Sequence, residues 1–175
     1  MNTIIIILSV IVGLLILFLI LALFAKKEYN IHREITIHAT RDQVFNYLKQ
    51  LKNQDHFNKW IMVDPDMQKT FKGTDGTVGF IYAWNGKKAG EGEQEIMAIA
   101  EGKSIETEIR FVRPFVNTAN ADLHIESISE TETKVIWRNA SQMKYPFNVM
   151  VSMLEKMLAK DMDTSLSNLK NILEK

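Results

Sequence analysis

No cysteine occurs among the 175 residues, so no disulfide framework argues for an extracellular setting, although its absence does not exclude one. Charge of either sign is not in excess. The 21 basic and 21 acidic residues balance, and no global field recruits nucleic acid or an anionic surface. Repeats and low-complexity tracts are also missing. His32, His38, His56 and His124 have no metal-ligand spacing, and the first two take the outward parity of a strand. The glycine-rich stretch Lys72-Gly73-Thr74-Asp75-Gly76-Thr77 links two strands and does not lead into a helix, so it reads as a turn and not as a phosphate cradle. Neither a metal nor a cofactor is implied.

What the chain does have is a long apolar run. From Ile4 to Ala25 there is no charge, only Ser9 and Gly13 interrupt the aliphatic and aromatic residues, and Lys26-Lys27 closes the stretch. At 1.5 Å per residue it reaches roughly 33 Å as a helix, enough for a hydrocarbon core of about 30 Å. A secretory signal would carry a charged start, a shorter apolar core and a small-x-small cleavage site. Met1-Asn2-Thr3 and Leu23-Phe24-Ala25 supply neither flank, so an uncleaved single-pass anchor over residues 4–25 is the better reading. Lys26, Lys27 and Arg33 follow the run with no counterpart before it, which by the positive-inside rule keeps the remainder in the cytoplasm. The expected division is residues 1–28 as anchor and short linker and 29–175 as one globular domain held near the headgroups. Roughly 150 residues are sufficient for one core.

Within that domain, Ile31, Ile35 and Ile37 alternate with polar neighbours as a first strand. Thr40 is placed to cap a helix carrying Val44, Phe45, Leu48 and Leu51, with Gln43 at the capping-box position. A short second helix is expected over Gln54–Trp60, ended by Asp64-Pro65-Asp66. Turn residues then divide a meander of six strands up to about Asn139. After Pro146 a long helix is expected to carry Phe147, Met150, Val151, Leu154, Met157, Leu158, Met162, Leu166, Leu169, Ile172 and Leu173 against the sheet.

Opposed residues of antiparallel hairpins share a face. Alternation is satisfied by pairing Phe71 with Val78, Phe80 with Gln94, Ala98 with Thr107, Phe111 with Ala119 and Ile125 with Val135. One face is then almost uncharged, while Glu93, Glu95, Glu106, Glu108, Arg110, Asp122 and Arg138 gather on the other. Ala98, Ala119 and Ala121 on the apolar face leave room either for a cavity or for closer approach of the long helix.

Strand, helix pair, meander and terminal helix together resemble the helix-grip fold of the START-like, or SRPBCC, superfamily. The segment Glu34-Ile35-Thr36-Ile37-His38-Ala39-Thr40-Arg41-Asp42-Gln43-Val44-Phe45 is similar to that superfamily's opening. Gly92-Glu93-Gln94-Glu95-Ile96 and Lys134-Val135-Ile136-Trp137 are similar to its central strands. The nearest subgroup consists of bacterial proteins named for polyketide cyclase/dehydrase and lipid transport, some with an N-terminal hydrophobic helix. The resemblance implies an α+β fold of the START/Bet v 1 type. In it a curved antiparallel sheet of about seven strands wraps a long C-terminal helix, with an apolar cavity between the two.

The expected lining from the strands is Tyr82, Trp84, Gln94, Thr107, Ile109, Phe111, Ala121, Leu123, Trp137 and Asn139, and from the helix Met150 and Leu154, with Lys69 at the rim. Arg113-Pro114-Phe115 and Tyr145-Pro146-Phe147 bring aromatics to loops that either border the cavity mouth or simply pack. No carboxylate or histidine takes the inward parity, so acid–base catalysis lacks an obvious agent. Three readings follow: a membrane-anchored binder of a hydrophobic small molecule or lipid, with no catalytic residue; a cyclase-, dehydratase- or hydrolase-like enzyme on an apolar or aromatic substrate, which a strand bulge near Met97-Ala98 would permit by turning Glu93 or Glu95 inward; or a ligand-free membrane scaffold. No nucleic-acid partner is expected, and the oligomeric state is not encoded in any recognised motif.

Overall fold

The computed structural model describes residues 2–175. Helix α1 (Asn2–Phe24) leads through Ala25–Lys27 into strand β1 (Glu28–Ile37). Helix α2 (Arg41–Leu48) starts at Thr40, whose Oγ1 accepts from the Gln43 amide at 3.3 Å as the sequence predicts, and it buries Val44, Phe45 and Leu48. The expected second helix is broken into two single turns, α3 (Gln54–Phe57) and α4 (Lys59–Met62). Asn58 separates them, extended at φ −75° and ψ 113°, and its side chain accepts from the Trp60 amide.

The meander follows as β2 (Gln68–Lys72), β3 (Ile81–Asn85), β4 (Glu91–Ala100), β5 (Ser104–Arg113), β6 (Asn117–Ser127) and β7 (Thr133–Gln142). All pairings are antiparallel, in the order β1-β7-β6-β5-β4-β3-β2. A 3-10 turn at Phe147–Met150 precedes helix α5 (Val151–Leu173). The long helix therefore begins later than the apolar stripe implies.

The expected pairing of Ile125 with Val135 is observed. Elsewhere the ladders slide by whole pleats. Phe71 opposes Tyr82 and not Val78, which lies 60% exposed in the loop before β3; Gln94 opposes Tyr82 and not Phe80; Phe111 opposes Asn117 and not Ala119. These slips preserve the faces. A bulge in β4 does not: the register shifts between Ile96 and Ala98, so Ala98 opposes Glu106 on the outside and Ile99 turns inward opposite Ile105. Glu93 and Glu95 nevertheless stay outside, each bound to Arg110 at 2.7 and 2.6 Å, with Glu108 as its third partner.

The interior is divided into two parts. The larger core joins Ile37, Val44, Phe45, Leu48, Ile105, Val135 and Trp137 with Met162, Leu166 and Leu169 of α5. A smaller one joins Leu51, Phe80, Tyr82 and Ile96. Helix α5 is fastened through α3 and α4: Lys59 meets Asp161 at 2.5 Å, Trp60 Nε1 donates to Asp161 at 3.1 Å, and Asn168 Nδ2 donates to the Phe57 carbonyl at 3.2 Å. On the edge strand, Arg33 shares the inner face opposite Trp137 and lies 3.1 Å from Asp163 of α5.

Candidate functional site

Along β5 the inner-face side chains change character from one end to the other. Ile105 and Thr107 are sealed and Ile109 and Phe111 are half-buried, while a second register shift turns Arg113 to the outer face with Glu91. Helix α5 follows in part, because Val151 at its start is sealed as well. Met162, Leu166 and Leu169 are buried, Leu154 and Leu158 are half-buried, and Met153 and Met157 are 59% and 49% exposed, so Met157 does not lie under the sheet as expected. Helix α2 covers the closed end, whereas Ile109, Phe111, Met150 and Leu154 belong to neither packed core. They leave a partly exposed apolar surface between sheet and α5 at the end where β5 meets β6, the candidate for a groove.

Its walls are placed by the strands. Trp84 on β3 lies edge-on to Phe111 at 6.1 Å, and its indole Nε1 donates to the Ala89 carbonyl at 3.2 Å. The ring occupies the position a side chain would take at Gly92, its cross-strand neighbour: a Cβ there would sit 2.8 Å from the ring and 2.7 Å from the Arg110 carbonyl. Glycine is what allows the tryptophan to lie over the strand. Ala119 and Ala121, at 2% and 3% exposure, form a low floor.

The floor also holds a line of polar groups. Asn58 Nδ2 donates to Gln54 Oε1 at 2.8 Å, Gln54 Nε2 to Gln94 Oε1 at 3.1 Å, and Gln94 Nε2 to Thr107 Oγ1 at 2.9 Å; Thr107 in turn donates to the Ala121 carbonyl. This chain is internally satisfied and ties α3 to three strands. Asn139 is different. It is 4% exposed, lies opposite Ala121 and Ile31, and its Oδ1 has no donor. A buried amide oxygen without a partner is costly and marks a place where a polar hydrogen is wanted.

Of the twelve expected lining residues, Trp84, Gln94, Thr107, Ile109, Phe111, Ala121, Asn139, Met150 and Leu154 are buried members of neither core. Three stand elsewhere. Tyr82 is in the small core, and Leu123 and Trp137 are in the large one, where Trp137 packs edge-on against Trp60 and Phe57 at 5.8 and 6.4 Å.

One titratable group that strand parity does not reveal is Asp55 on α3. Tyr82 donates its hydroxyl to Asp55 Oδ1 at 2.6 Å, and Lys69 lies 2.8 Å from Oδ2, with the Asp55 and Lys69 side chains 29% and 23% exposed. Burial of the phenol, and then the carboxylate beside it, push the Tyr82 pKa far above its ordinary value. The three groups satisfy one another and clamp α3 to the sheet edge. A concavity of about 820 Å³ also opens over the ends of β1, β6 and β7, with a mixed lining that includes Lys27, Asn30, Asn120 and Lys144 beside Tyr29, Val116, Ala119 and Tyr145.

Comparison with known proteins places this geometry. The family model for polyketide cyclase / dehydrase and lipid transport matches residues 29–174. Norcoclaurine synthase from Thalictrum flavum, in complex with dopamine and hydroxybenzaldehyde, superposes with a TM-score of 0.63 at 14% identity, covering 89% of this chain and 91% of that one. The protein XoxI from Bacillus cereus gives 0.60 at 10% identity, covering 82% and 94%. Ara h 8.0201 gives 0.54 at 15% identity, covering 81% and 98%. Identities this low speak for the fold alone. No curated protein matches the chain.

Proposed function

Because the chain belongs to the polyketide cyclase / dehydrase and lipid transport family, we propose that it is a membrane-anchored module that binds a hydrophobic small molecule or lipid in the groove between the sheet and α5. The observation that carries this reading is the gradient along β5: inward-facing apolar side chains are sealed at the α2 end and half-buried at the other. Burial of that surface by a guest supplies affinity, at about 25 cal/mol per Å². Asn139 Oδ1, the unpartnered acceptor beside that surface, supplies orientation.

The anchor is α1. Its span Thr3–Phe24 is long and apolar enough to cross a membrane, and none of its most apolar window is buried by the protein, which argues against a core helix. Lys26 and Lys27 at its C-terminal end favour a cytoplasmic domain. Residues 1–28 then serve as anchor and linker, and 29–175 as the binding domain.

A second reading, catalysis, draws on Asp55, Lys69 and Tyr82. Against it, each of the three already has its charge or hydrogen neutralised by the others, and the cluster lies behind the Tyr82 ring in the small core and not on the groove floor. Binding without chemistry is the better account. The test is native mass spectrometry of the full chain released from detergent. Wild type is expected to carry a one-to-one apolar adduct, and Ile109→Trp, which fills the groove from a half-exposed position, is expected to lose at least nine-tenths of it with an unchanged melting temperature. Equal adduct in both proteins, or none in the wild type, would overturn the proposal.

A further inference from the structure

The open end of the groove and the C-terminal end of α1 are the same end of the molecule. Asn148, fully buried in the 3-10 turn before α5, donates through Nδ2 to the Ala22 and Ala25 carbonyls at 2.7 and 3.1 Å. These are carbonyls that the end of a helix leaves without an internal partner. The Met143 amide donates to the Lys27 carbonyl at 2.8 Å, and Lys26 pairs with Glu155 at 2.5 Å. Higher up, the Tyr145 hydroxyl donates to the Leu19 carbonyl at 3.3 Å. Leu19 lies five residues before Phe24, about 7–8 Å along the axis at 1.5 Å per residue. The β7–α5 loop therefore runs beside the last turns of the apolar span and not below them.

That loop and its neighbour are apolar where a soluble surface would be polar. Phe115 of the β5–β6 loop packs on Phe147 with ring centroids 5.2 Å apart, yet both remain about half exposed, and Val116 beside them is 84% exposed. Met153 on the first turn of α5 continues the same patch. Lys27 and Lys144 lie beside it, lining with Val116 and Tyr145 the concavity at the ends of β1 and β7. Apolar and aromatic side chains level with the end of a spanning helix, with lysines around them, match the depth profile of a bilayer interface.

We infer that this end of the domain, the Phe115–Val116 and Tyr145–Phe147 loops together with the first turn of α5, is seated in the interfacial layer of the bilayer that α1 crosses, so that the groove opens into lipid and not into water. The inference rests on the anchor reading above and names the partner surface of the same site. A guest enters sideways from the acyl region, past Met150 and Phe111, without crossing the aqueous phase.

The chain's lack of cysteine makes the test direct. Single cysteines are introduced into the full chain at Val116, at Met153, at Gly13 in the middle of α1, where an added Cβ meets nothing within 4 Å, and at Glu130 in the turn at the far end of the sheet. Each is labelled with an environment-sensitive fluorophore in nanodiscs containing lipids brominated at shallow or deep chain positions. Labels at 116 and 153 are expected to emit at shorter wavelength than at 130 and to be quenched by shallow bromines, with 13 quenched by deep ones. If 116 and 153 behave like 130 while 13 is deep, the seating is refuted and the anchor stands. If 13 itself behaves like 130, the anchor reading fails and the seating falls with it.

Discussion

Replacing Asn139 by valine is expected to make the unliganded protein more stable, the reverse of what most buried substitutions do. The side chain is 4% exposed on the groove floor and its Oδ1 has no donor. An amide buried without compensation costs about 1–3 kcal/mol by the evidence of protein mutants, and removing it recovers a part of that. Valine suits a strand position, and the residue directly opposite is Ala121, so the extra methyl has room. The net expectation is a gain of about 1–2 kcal/mol, which for a domain of this size raises the melting temperature by about 2–8 °C. Thermal unfolding of the full chain in detergent, followed by tryptophan fluorescence after removal of any guest, reads it. The same variant is expected to hold less of the native adduct, because the guest loses the amide that orients it. A loss of stability greater than 1 kcal/mol in the guest-free protein would refute the reasoning, since it would mean that Asn139 is already hydrogen-bonded when the groove is empty.

Alkaline conditions give a second check. Burial is the first cause raising the pKa of Tyr29, Tyr47 and Tyr82, and the hydroxyl bond to Asp55 adds to it at Tyr82. The unfolded chain therefore releases tyrosine protons near pH 10 that the folded chain retains; stability is flat below that pH and falls above it. Tyr82→Phe is expected to make the decline above pH 10 shallower by the slope of one proton in urea titrations, and an unchanged slope would contradict the burial of that phenol. Asn148→Ala removes two donated hydrogen bonds at the junction of α1 and the domain, a loss of about 1–3 kcal/mol locally. Amide exchange of residues 143–151 in nanodiscs is expected to quicken by about 5- to 150-fold, and identical exchange would show that the junction is held by other contacts.

Most of the architecture was legible because period-2 alternation is a strong signal wherever one face is charged. The acidic residues of β4 and β5 mark the outside clearly, and even slips in register leave that assignment intact, which is why Phe111 kept its face although its partner is Asn117. The stretch Ile96-Met97-Ala98-Ile99-Ala100 carries no charge to mark either face. A bulge near Met97-Ala98 could be suspected but not its effect: it exchanged the sides of Ala98 and Ile99 and left Glu93 and Glu95 outside. Asp55 escaped notice for another reason. It lies on a single turn of helix whose direction is set by the Asn58–Gln54 bond and by contacts of Phe57 and Lys59 with Asp161, Ser165 and Asn168 of α5, over one hundred residues away in the chain, and no local pattern reports that. For the proposed lining, strand parity fixed the face of each strand residue. The three that were not part of the groove, Tyr82, Leu123 and Trp137, share the parity but sit at depths that only the packing of α2, α3 and α5 decides.

The clasp between Asn148 and the end of α1 has a consequence for transport. A carrier that shuttles cargo between two membranes needs a leash, and this domain has none: its first strand starts four residues after the helix ends, and the backbone of Lys27 is already paired with Met143. On the anchoring proposed above it is mounted like a bracket, suited to extracting or presenting a molecule where it stands, and any hand-over to another compartment requires the receiver to come to it.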